Sequence, residues 1–286
     1  MPTDVTAFFD PATSTLTYLV ADPESGACAV IDSVRDYDQK SGRTSTASAD
    51  KVIEAIRSRG LRLEWILETH VHADHLSAAP YLKQQLGGRT GIGAKVTTVQ
   101  TTFRTLFGLE AICPGDGREF DRLFEDGATF EIGELRARVI ASPGHTPACV
   151  AYLIGDALFV GDTVFMPDYG TARCDFPGGN ARQLYRSIRR LLDLPPTTRV
   201  FVGHDYQPNG RPLAFEASVA QQRASNIHVK DGISEDEFTA MREARDRTLS
   251  LPTLILPAVQ VNIRAGELPP PDANGHRYLK IPLDAV

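Results

Sequence analysis

A dense cluster of candidate metal ligands lies in the first third of the chain. Residues 69–75 read Thr-His-Val-His-Ala-Asp-His, which places three histidines and one aspartate within six positions. Neutral imidazole and carboxylate are groups that bind borderline first-row metals such as Zn²⁺ and Fe²⁺. A lone histidine is more often a core or surface residue, but further candidates follow downstream at turn-like positions, namely His145, Asp162 and His204. The pattern predicts a metalloprotein.

The elements before these residues read as strands that end at a ligand. An apolar run at 62–69 leads into the cluster, a β-rich run at 135–141 precedes His145, and a strand at 199–202 precedes His204. Ligands at the ends of strands match the place where α/β folds carry their chemistry. The recurrence of strand, loop and ligand predicts two β-rich halves that face each other, with helices outside and the ligands along one edge.

The remaining segments frame this arrangement. Residues 33–49 are polar, and we expect an exposed insertion loop that is long enough to act as a lid. Asp32, at the end of the preceding strand, is interpreted as a turn cap rather than as a support of the site. Residues 211–286 are predicted to form a helical and extended segment that packs across the domain. Because no linker of disordered composition is present, we expect residues 1–286 to form a single domain.

Composition and charge argue against several function classes. The formal net charge of the 286 residues is −6, which gives no basic footprint for nucleic acid or for an anionic membrane surface. The four cysteines are far apart and form no Cys-x-x-Cys pair, so we expect reduced thiols rather than disulfides. The first residues lack a secretory pattern, and no apolar stretch approaches the roughly 20 residues that span a bilayer. We therefore expect a soluble, cytoplasmic protein.

In combination, these motifs resemble those of the metallo-β-lactamase superfamily. The cluster at 69–75 is followed in order by Gly-His-Thr at 144–146, Gly-Asp-Thr at 161–163 and Gly-His-Asp-Tyr at 203–206. The resemblance implies an α/β fold of the αββα sandwich type, with two facing mixed β-sheets, helices outside and a metal site at one edge.

The resemblance also implies how metals are bound in the dinuclear members, whose seven ligand positions are all filled here. One metal is held by three histidines, at the positions of His70, His72 and His145. The other is held at the positions of Asp74, His75 and His204. The position of Asp162 bridges the two metals.

Within the superfamily, the chain is most similar to the persulfide dioxygenases, also called sulfur dioxygenases. The likeness rests on Glu-Thr-His-Val-His-Ala-Asp-His at 68–75, Arg-Cys-Asp-Phe at 173–176 and His-Asp-Tyr at 204–206. Glyoxalase II, the nearest relative, tends to have His-Glu-Tyr and a Gly-Cys-Gly-Arg segment. The dioxygenases hold a single Fe(II) with two histidines and one carboxylate, which implies one iron per chain at His70, His145 and Asp162. The other candidates then become outer partners or a vacant second metal site: His72, Asp74, His75 and His204.

The reaction implied by this likeness oxidises a low-molecular-weight persulfide, with glutathione persulfide the expected one. O₂ and water convert it to sulfite and thiol, in sulfide detoxification. We expect Tyr206 to hydrogen-bond the substrate or oxygen, or alternatively a backbone group of the fold. Arg173 is expected to contact an anionic substrate with Asp175 positioning it, or the two form a structural ion pair. Cys174 is interpreted as a packing residue.

The main alternative is a glyoxalase II-like thioester hydrolase with two Zn²⁺ ions. Such a site would poise a bridging hydroxide for hydrolysis, whereas zinc has no redox change with which to activate O₂. The chain departs from its relatives at 169–173, Tyr-Gly-Thr-Ala-Arg, and in the long insertion at 33–49, so the identity of the thiol carrier stays open. Family likeness also suggests a homodimer.

Overall fold

A computed structural model describes residues 2–285, in which strands and helices follow one another along the chain. The strands are β1 Asp4–Asp10, β2 Thr15–Ala21, β3 Ala27–Ile31, β4 Val34–Asp38, β5 Arg43–Ser45, β6 Arg62–Leu67, β7 Leu76–Ser77, β8 Arg89–Gly93, β9 Arg122–Phe124, β10 Thr129–Ile132, β11 Leu135–Ala141, β12 Val150–Ile154, β13 Ala157–Phe159, β14 Arg199–Phe201 and β15 Glu216–Ser218. The helices are α1 Ala47–Ser58, α2 Ala79–Leu86, α3 Val96–Phe107, α4 Ala181–Leu192, α5 Val219–Ser225, α6 Glu235–Asp246 and α7 Ile255–Asn262, with a 3₁₀ turn at Pro208–Gly210.

Two six-stranded sheets form the framework. The first has the order β1-β2-β3-β6-β8-β9, in which β3, β6, β8 and β9 are parallel neighbours and β1 to β3 are antiparallel. The second has the order β10-β11-β12-β13-β14-β15 and is antiparallel except for the parallel pair of β13 and β14. Both sheets are therefore mixed, as predicted.

Alternation along β2 shows how the first sheet buries both faces. Leu16, Tyr18 and Val20 pack between the sheets, where the Tyr18 ring lies 5.3 Å from that of Phe159 on β13. Leu19, on the other face, belongs to the cluster that α1 and α2 cover. Successive side chains of a strand point to opposite faces, and each large apolar side chain buried in this way stabilises the fold by roughly 1.5–3 kcal/mol. Helix α4 packs its apolar face against the same inter-sheet cluster, which completes the predicted αββα sandwich.

The polar segment 33–49 differs from the predicted irregular loop, because it contains a β-hairpin. Strand β4 pairs with β5 on one side and with β7 on the other. Asp36 ties the hairpin to the start of α1, since its carboxylate accepts hydrogen bonds from the backbone N–H and the hydroxyl of Ser48. Polar composition predicted a loop, but an edge hairpin with one solvated face tolerates the same residues. At its tip, Gln39 donates to the carbonyl of Thr253 at 3.2 Å; a role as a lid stays a prediction.

The segment 211–286, predicted to be helical and extended, contains β15, α5, α6 and α7. Strand β15 extends the second sheet by pairing with β14. Helix α7 forms within the Leu- and Pro-rich tail, which was expected to pack across the domain. Within residues 2–285, no helix combines the length and apolar character needed to cross a bilayer.

A buried histidine supports the loop that follows β13. Nδ1 of His228 lies 3.1 Å from the donating N–H and 3.1 Å from the hydroxyl of Thr171. Gly170 has φ of +101°, and a Cβ there would lie 2.2 Å from that same nitrogen. Burial lowers the pKa of His228 to about 4, and the positive charge of Arg242 contributes.

We expect stability to fall as the pH is lowered from about 6.5 to about 4. In the unfolded chain, His228 has the ordinary pKa of 6.5 and binds a proton in this range, whereas in the folded protein it does not. The free energy of unfolding therefore decreases by up to about 3 kcal/mol. Urea denaturation at pH 7 and near pH 4.5 measures the change. The His228→Asn variant should lose less stability over this interval than the wild type, and exposed His276→Asn should behave as wild type. Equal losses in all three proteins would contradict the assignment.

Candidate metal centre

The predicted ligands meet at the edge where strands of both sheets end. His70 follows β6, His145 follows β11, Asp162 follows β13 and His204 follows β14. One ligand atom each of His70, His145 and Asp162 lies within 4.8 Å of the others. Residues that are up to 92 positions apart in the chain are thus brought into a group that fits one metal ion.

Two glycines let the ligand-bearing loops approach each other. Gly161 has φ of +47°, and a Cβ there would lie 2.2 Å from Oγ1 of Thr69. A Cβ on Gly203 would lie 3.0 Å from the backbone of Gly161 and 3.1 Å from Oδ1 of Asp162. Since only glycine leaves this space open, the Gly-Asp and Gly-His dipeptides place Asp162 and His204 side by side.

Hydrogen bonds at Nδ1 orient the two imidazoles of this group. Nδ1 of His145 lies 2.8 Å from the carbonyl of Arg173 and donates to it. Nδ1 of His70 lies 3.1 Å from Oγ1 of Thr69, a hydroxyl that itself donates to Asp32 at 2.8 Å. Each ring therefore keeps the lone pair of Nε2 for a metal, and Nε2 of His70 is buried without any hydrogen-bond partner. The orphaned nitrogen fits a metal ligand.

The protonation states agree with metal binding. Burial lowers the pKa of His70 well below its usual value, and neighbouring His72 adds to this effect. Burial alone would raise the pKa of Asp162, but the positive field of His204 and the other imidazoles outweighs it and lowers that pKa. Neutral imidazole and ionised carboxylate are the forms that bind a metal.

A second group of ligand-type side chains lies beside the first, with atoms of His72, Asp74 and His75 within 4.8 Å of one another. His75 donates from Nδ1 to the carbonyl of Leu76 at 3.2 Å, and its Nε2 has no partner. Burial lowers the pKa of His75 to about 4, so this imidazole is neutral. The spacing and the ligand types of these three side chains fit a second metal ion.

His204 links the two groups. Its Nε2 lies 3.2 Å from Oδ1 of Asp162 and 3.3 Å from Oδ2 of Asp74, while its Nδ1 lies 3.2 Å from the carbonyl of Ser14. Burial alone would lower the pKa of His204, but the two carboxylates outweigh burial and raise it to about 9. The ring is thus held as an imidazolium by oxygen atoms on both of its nitrogens.

Asp32 does not act as the turn cap that was predicted, because it supports the ligand loop. Its carboxylate accepts hydrogen bonds from the N–H of Thr69 at 2.7 Å and the hydroxyl of Thr69 at 2.8 Å, and it lies 3.0 Å from Nε2 of His72. Its φ of +53° is uncommon for a residue with a side chain and is maintained by these contacts. Glu68 is also buried, and its Oε2 lies 3.1 Å from the same nitrogen of His72. The sequence permits a supporting role for Asp32 but favours the cap, and it indicates no role for Glu68.

Asn262, the last residue of α7, fixes the ligand loop from the far end of the chain. Its amide donates to the carbonyls of His72 at 2.9 Å and His75 at 2.8 Å, and its oxygen accepts from the N–H of Ser77 at 2.8 Å. The side chain is buried. It lay in the tail that was predicted to be a packing segment, so sequence analysis missed it.

We expect the Asn262→Leu variant to bind metal about 10–100-fold more weakly, because outer partners of this kind orient metal ligands. The substitution leaves one N–H and two carbonyls without partners, so stability should also fall by about 2–4 kcal/mol. Competition with a chromophoric chelator measures the affinity, and urea denaturation measures the stability. Exposed Asn274→Leu serves as the control and should change neither. A metal affinity within twofold of the wild type for Asn262→Leu would contradict the role.

The metal-ligand group opens into a cavity of about 530 Å³. Its lining combines ligands, candidate substrate residues and the tip of the β4–β5 hairpin: Ala12, Thr13, Ser14, Tyr37, Asp38, Gln39, Ala73, Asp74, His145, Asp162, Arg173, Tyr206, Pro252, Thr253 and Leu254. Arg173 donates to both oxygens of Asp175, at 2.5 and 2.6 Å, and to the carbonyl of Ser250 at 2.7 Å.

Tyr206 lies at the mouth of this cavity, where its side chain is 43% exposed. It stacks on Tyr169 with ring centroids 4.7 Å apart. Partial burial raises the pKa of the phenol, and the negative charges of Asp162 and Asp74 add to this effect, so Tyr206 stays protonated and can donate a hydrogen bond. Cys174 is buried, and burial raises the pKa of its thiol, which agrees with a packing role.

Comparison with known proteins agrees with this geometry. The profile of the metallo-β-lactamase superfamily matches residues 10–204. A probable metallo-hydrolase of Burkholderia pseudomallei is 58% identical over 99% of both chains. A protein named glyoxylase B2 from Dictyostelium discoideum is 54% identical over 93% of this chain and 92% of its own length.

Similarity to persulfide dioxygenases is lower in identity but covers most of the chain. The mitochondrial persulfide dioxygenase ETHE1 of Homo sapiens is 29% identical over 90% of this chain and 87% of its own. The crystal structure of ETHE1 from Myxococcus xanthus covers 92% of this chain and 100% of its own, with a TM-score of 0.73 and 30% identity. The predicted resemblance is confirmed.

Proposed function

The chain belongs to the metallo-β-lactamase superfamily, and from this premise we propose that it is a persulfide dioxygenase with one Fe(II) per chain. The observation that carries the proposal is the group of two histidines and one carboxylate, His70, His145 and Asp162, at the base of an open cavity. Three protein ligands leave coordination positions free for reactants. The similarity to ETHE1 along most of the chain supports the same reaction.

The proposal assigns no metal to the second group of side chains. Nε2 of His204 lies 3.2 Å from Asp162 and 3.3 Å from Asp74, a spacing that hydrogen bonds maintain and that ligands of one metal ion also have. Hydrogen bonds can therefore hold the second group of side chains together. We propose that His72, Asp74, His75 and His204 orient the iron ligands and shape the floor of the cavity.

In the proposed reaction, one persulfide, one O₂ and one water give one thiol and one sulfite. Iron supplies the redox change that O₂ activation needs and zinc lacks. The backbone carbonyl of Arg173 orients His145. The guanidinium of Arg173, which Asp175 holds in place, contacts the anionic part of the substrate. The neutral phenol of Tyr206 donates a hydrogen bond to a reactant in the cavity. Glutathione persulfide is the proposed substrate.

A two-zinc thioester hydrolase is the second candidate. It is favoured by the names of the relatives from Burkholderia pseudomallei and Dictyostelium discoideum, which are the more similar in sequence. The ligand atoms of the second group permit it. The two candidates differ in the metal they need and in whether O₂ is consumed.

The two candidate functions can be distinguished by loading one sample of the metal-free protein with Fe(II) and another with Zn²⁺. We expect the iron form to consume O₂ only when glutathione persulfide is present, and to form sulfite in equal amount. The zinc form should consume no O₂, and neither form should hydrolyse S-lactoylglutathione rapidly. Rapid hydrolysis by the zinc form, together with no persulfide-dependent O₂ uptake by the iron form, would replace this proposal with the hydrolase.

The Arg173→Met variant is expected to raise KM for glutathione persulfide by about tenfold or more, because a charge-assisted hydrogen bond contributes about 1.5–3 kcal/mol. Iron content should stay unchanged, since the backbone carbonyl that orients His145 remains. Steady-state O₂ consumption measures KM and kcat. Arg190→Met, an arginine on α4 that pairs with Asp126, is the control and should keep the wild-type KM. An unchanged KM in Arg173→Met would contradict a role of Arg173 in substrate binding and would favour a structural ion pair with Asp175.

A further inference from the structure

A group of arginines lies at the end of the sandwich opposite the metal centre. Arg62, Arg89 and Arg122 are the first residues of β6, β8 and β9, which are neighbouring parallel strands of the first sheet. Arg136 lies on β11 of the second sheet. The metal ligands follow the carboxyl ends of strands, so these strand beginnings form the opposite edge. All four residues line a single cavity of about 800 Å³, which we call the arginine groove.

Three of these arginines have no acidic partner. Arg62 pairs with Glu64, but no carboxylate within residues 2–285 lies within 4.0 Å of the guanidinium nitrogens of Arg89, Arg122 or Arg136. By contrast, Arg186 on the outer helix α4 pairs with an acidic residue of α6. The groove contains four arginines against two glutamates, in a chain whose formal net charge is −6. Four arginines less two glutamates leave a local excess of two positive charges among the residues that line the groove.

The floor of the arginine groove is aromatic. Trp65, Phe124 and Phe130 form one cluster, with ring centroids 4.8–5.6 Å apart. The guanidinium of Arg89 lies 4.1 Å above the ring of Trp65. Stacking of this kind fixes the plane of a guanidinium and leaves its N–H groups free at the edges. The donors of Arg89 are therefore oriented before any ligand arrives.

We propose that the arginine groove binds a compact di- or triphosphate group, either as inorganic pyrophosphate or as part of a nucleoside phosphate. Guanidinium groups bind phosphate oxygens in pairs, and several converging arginines match several linked phosphates. The volume lies within the range of small-molecule sites, roughly 300–1,000 Å³. Nucleic acid is disfavoured, because it needs an extended basic surface and the net charge of the chain is negative.

The chain contains one tryptophan, Trp65, so its fluorescence reports on this groove directly. We would titrate the metal-loaded protein with pyrophosphate, ATP and inorganic phosphate and follow tryptophan emission. A saturable change is expected for pyrophosphate and ATP, at lower concentrations than for phosphate. Tighter binding of ATP than of pyrophosphate would assign the nucleoside form, and the reverse order would assign the inorganic form. Metal content is measured before and after each titration, because polyphosphates chelate metals.

Variants test whether the arginines form the site. Arg122→Gln and Arg136→Gln should each weaken pyrophosphate binding by about tenfold or more, while metal content stays unchanged. Arg182→Gln on α4 is the control and should bind as wild type. The proposal would be overturned by any one of three results. These are no saturable change in tryptophan emission at millimolar ligand, wild-type affinity for pyrophosphate in both variants, and tighter binding of a DNA duplex than of ATP. The readout does not depend on persulfide oxidation, so the proposed function and this site can fail separately.

Discussion

Replacing Asp162 with alanine is expected to remove iron from the protein and to lower persulfide-dependent O₂ consumption at least about 10³-fold. Loss of an outer partner of a ligand lowers metal affinity or activity by about 10–100-fold. Loss of the only carboxylate among three ligands should lower both by more. It also leaves His204 with one carboxylate on Nε2 instead of two. Iron content by elemental analysis and O₂ uptake on the same sample measure both effects.

His75→Ala is the control for this prediction, since His75 is a buried ligand-type side chain of the neighbouring second group. In a one-iron enzyme His75 is an outer partner and not a ligand, so the variant should keep its iron and lose at most about 10–100-fold in activity, well short of the loss expected for Asp162→Ala. If both variants lost activity to the same extent, the two groups of side chains would be acting together, and the two-metal alternative would be favoured.

Replacing Asp32 with alanine is expected to reduce the free energy of unfolding by about 3–5 kcal/mol, the cost of removing one partner from a buried charged network. The carboxylate of Asp32 bonds the N–H and hydroxyl of Thr69 and approaches the ring of His72. The substitution leaves these groups buried without a partner. Because Thr69 contacts Nδ1 of His70, metal affinity should fall as well.

Urea denaturation of the metal-free protein separates the loss of stability from the loss of metal. Glu24→Ala, in the exposed turn between β2 and β3, is the control and should stay within about 0.5 kcal/mol of the wild type. A change below about 1 kcal/mol in Asp32→Ala would mean that Asp32 is an ordinary turn residue, as its sequence position had suggested.

The ligands could be recognised from the sequence because each is marked locally. The cluster at 69–75 combines ligand types at fixed spacing, and His145, Asp162 and His204 each follow a glycine at the end of a strand. The structure gives that glycine a physical reason at all three positions, because a Cβ would collide with Leu184 at Gly144 and with Thr69 at Gly161, and would be tightly crowded by Gly161 at Gly203. Local patterns of this kind also predicted two facing β-rich halves with helices outside them, whereas the mixed sheets were implied by the family resemblance.

The residues that support the ligands could not be found in this way, because their roles depend on contacts between distant parts of the chain. Asp32 contacts Thr69 across 37 positions, and Asn262 contacts His72 across 190. A carboxylate at a strand end is commonly a cap, and an asparagine in a tail is usually exposed, so local reasoning favoured those roles. The hairpin in 33–49 was missed for a similar reason, since pairing with β7 stabilises it.

The central claim is that one iron, held by His70, His145 and Asp162, supports the oxidation of a persulfide. The metal content of the protein, purified without added metal, tests this claim most directly. The measurement is paired with the ratio of sulfite formed to O₂ consumed on glutathione persulfide. We expect about one iron per chain and equal amounts of sulfite and O₂. Two zinc ions per chain, no O₂ uptake and turnover of S-lactoylglutathione would contradict it.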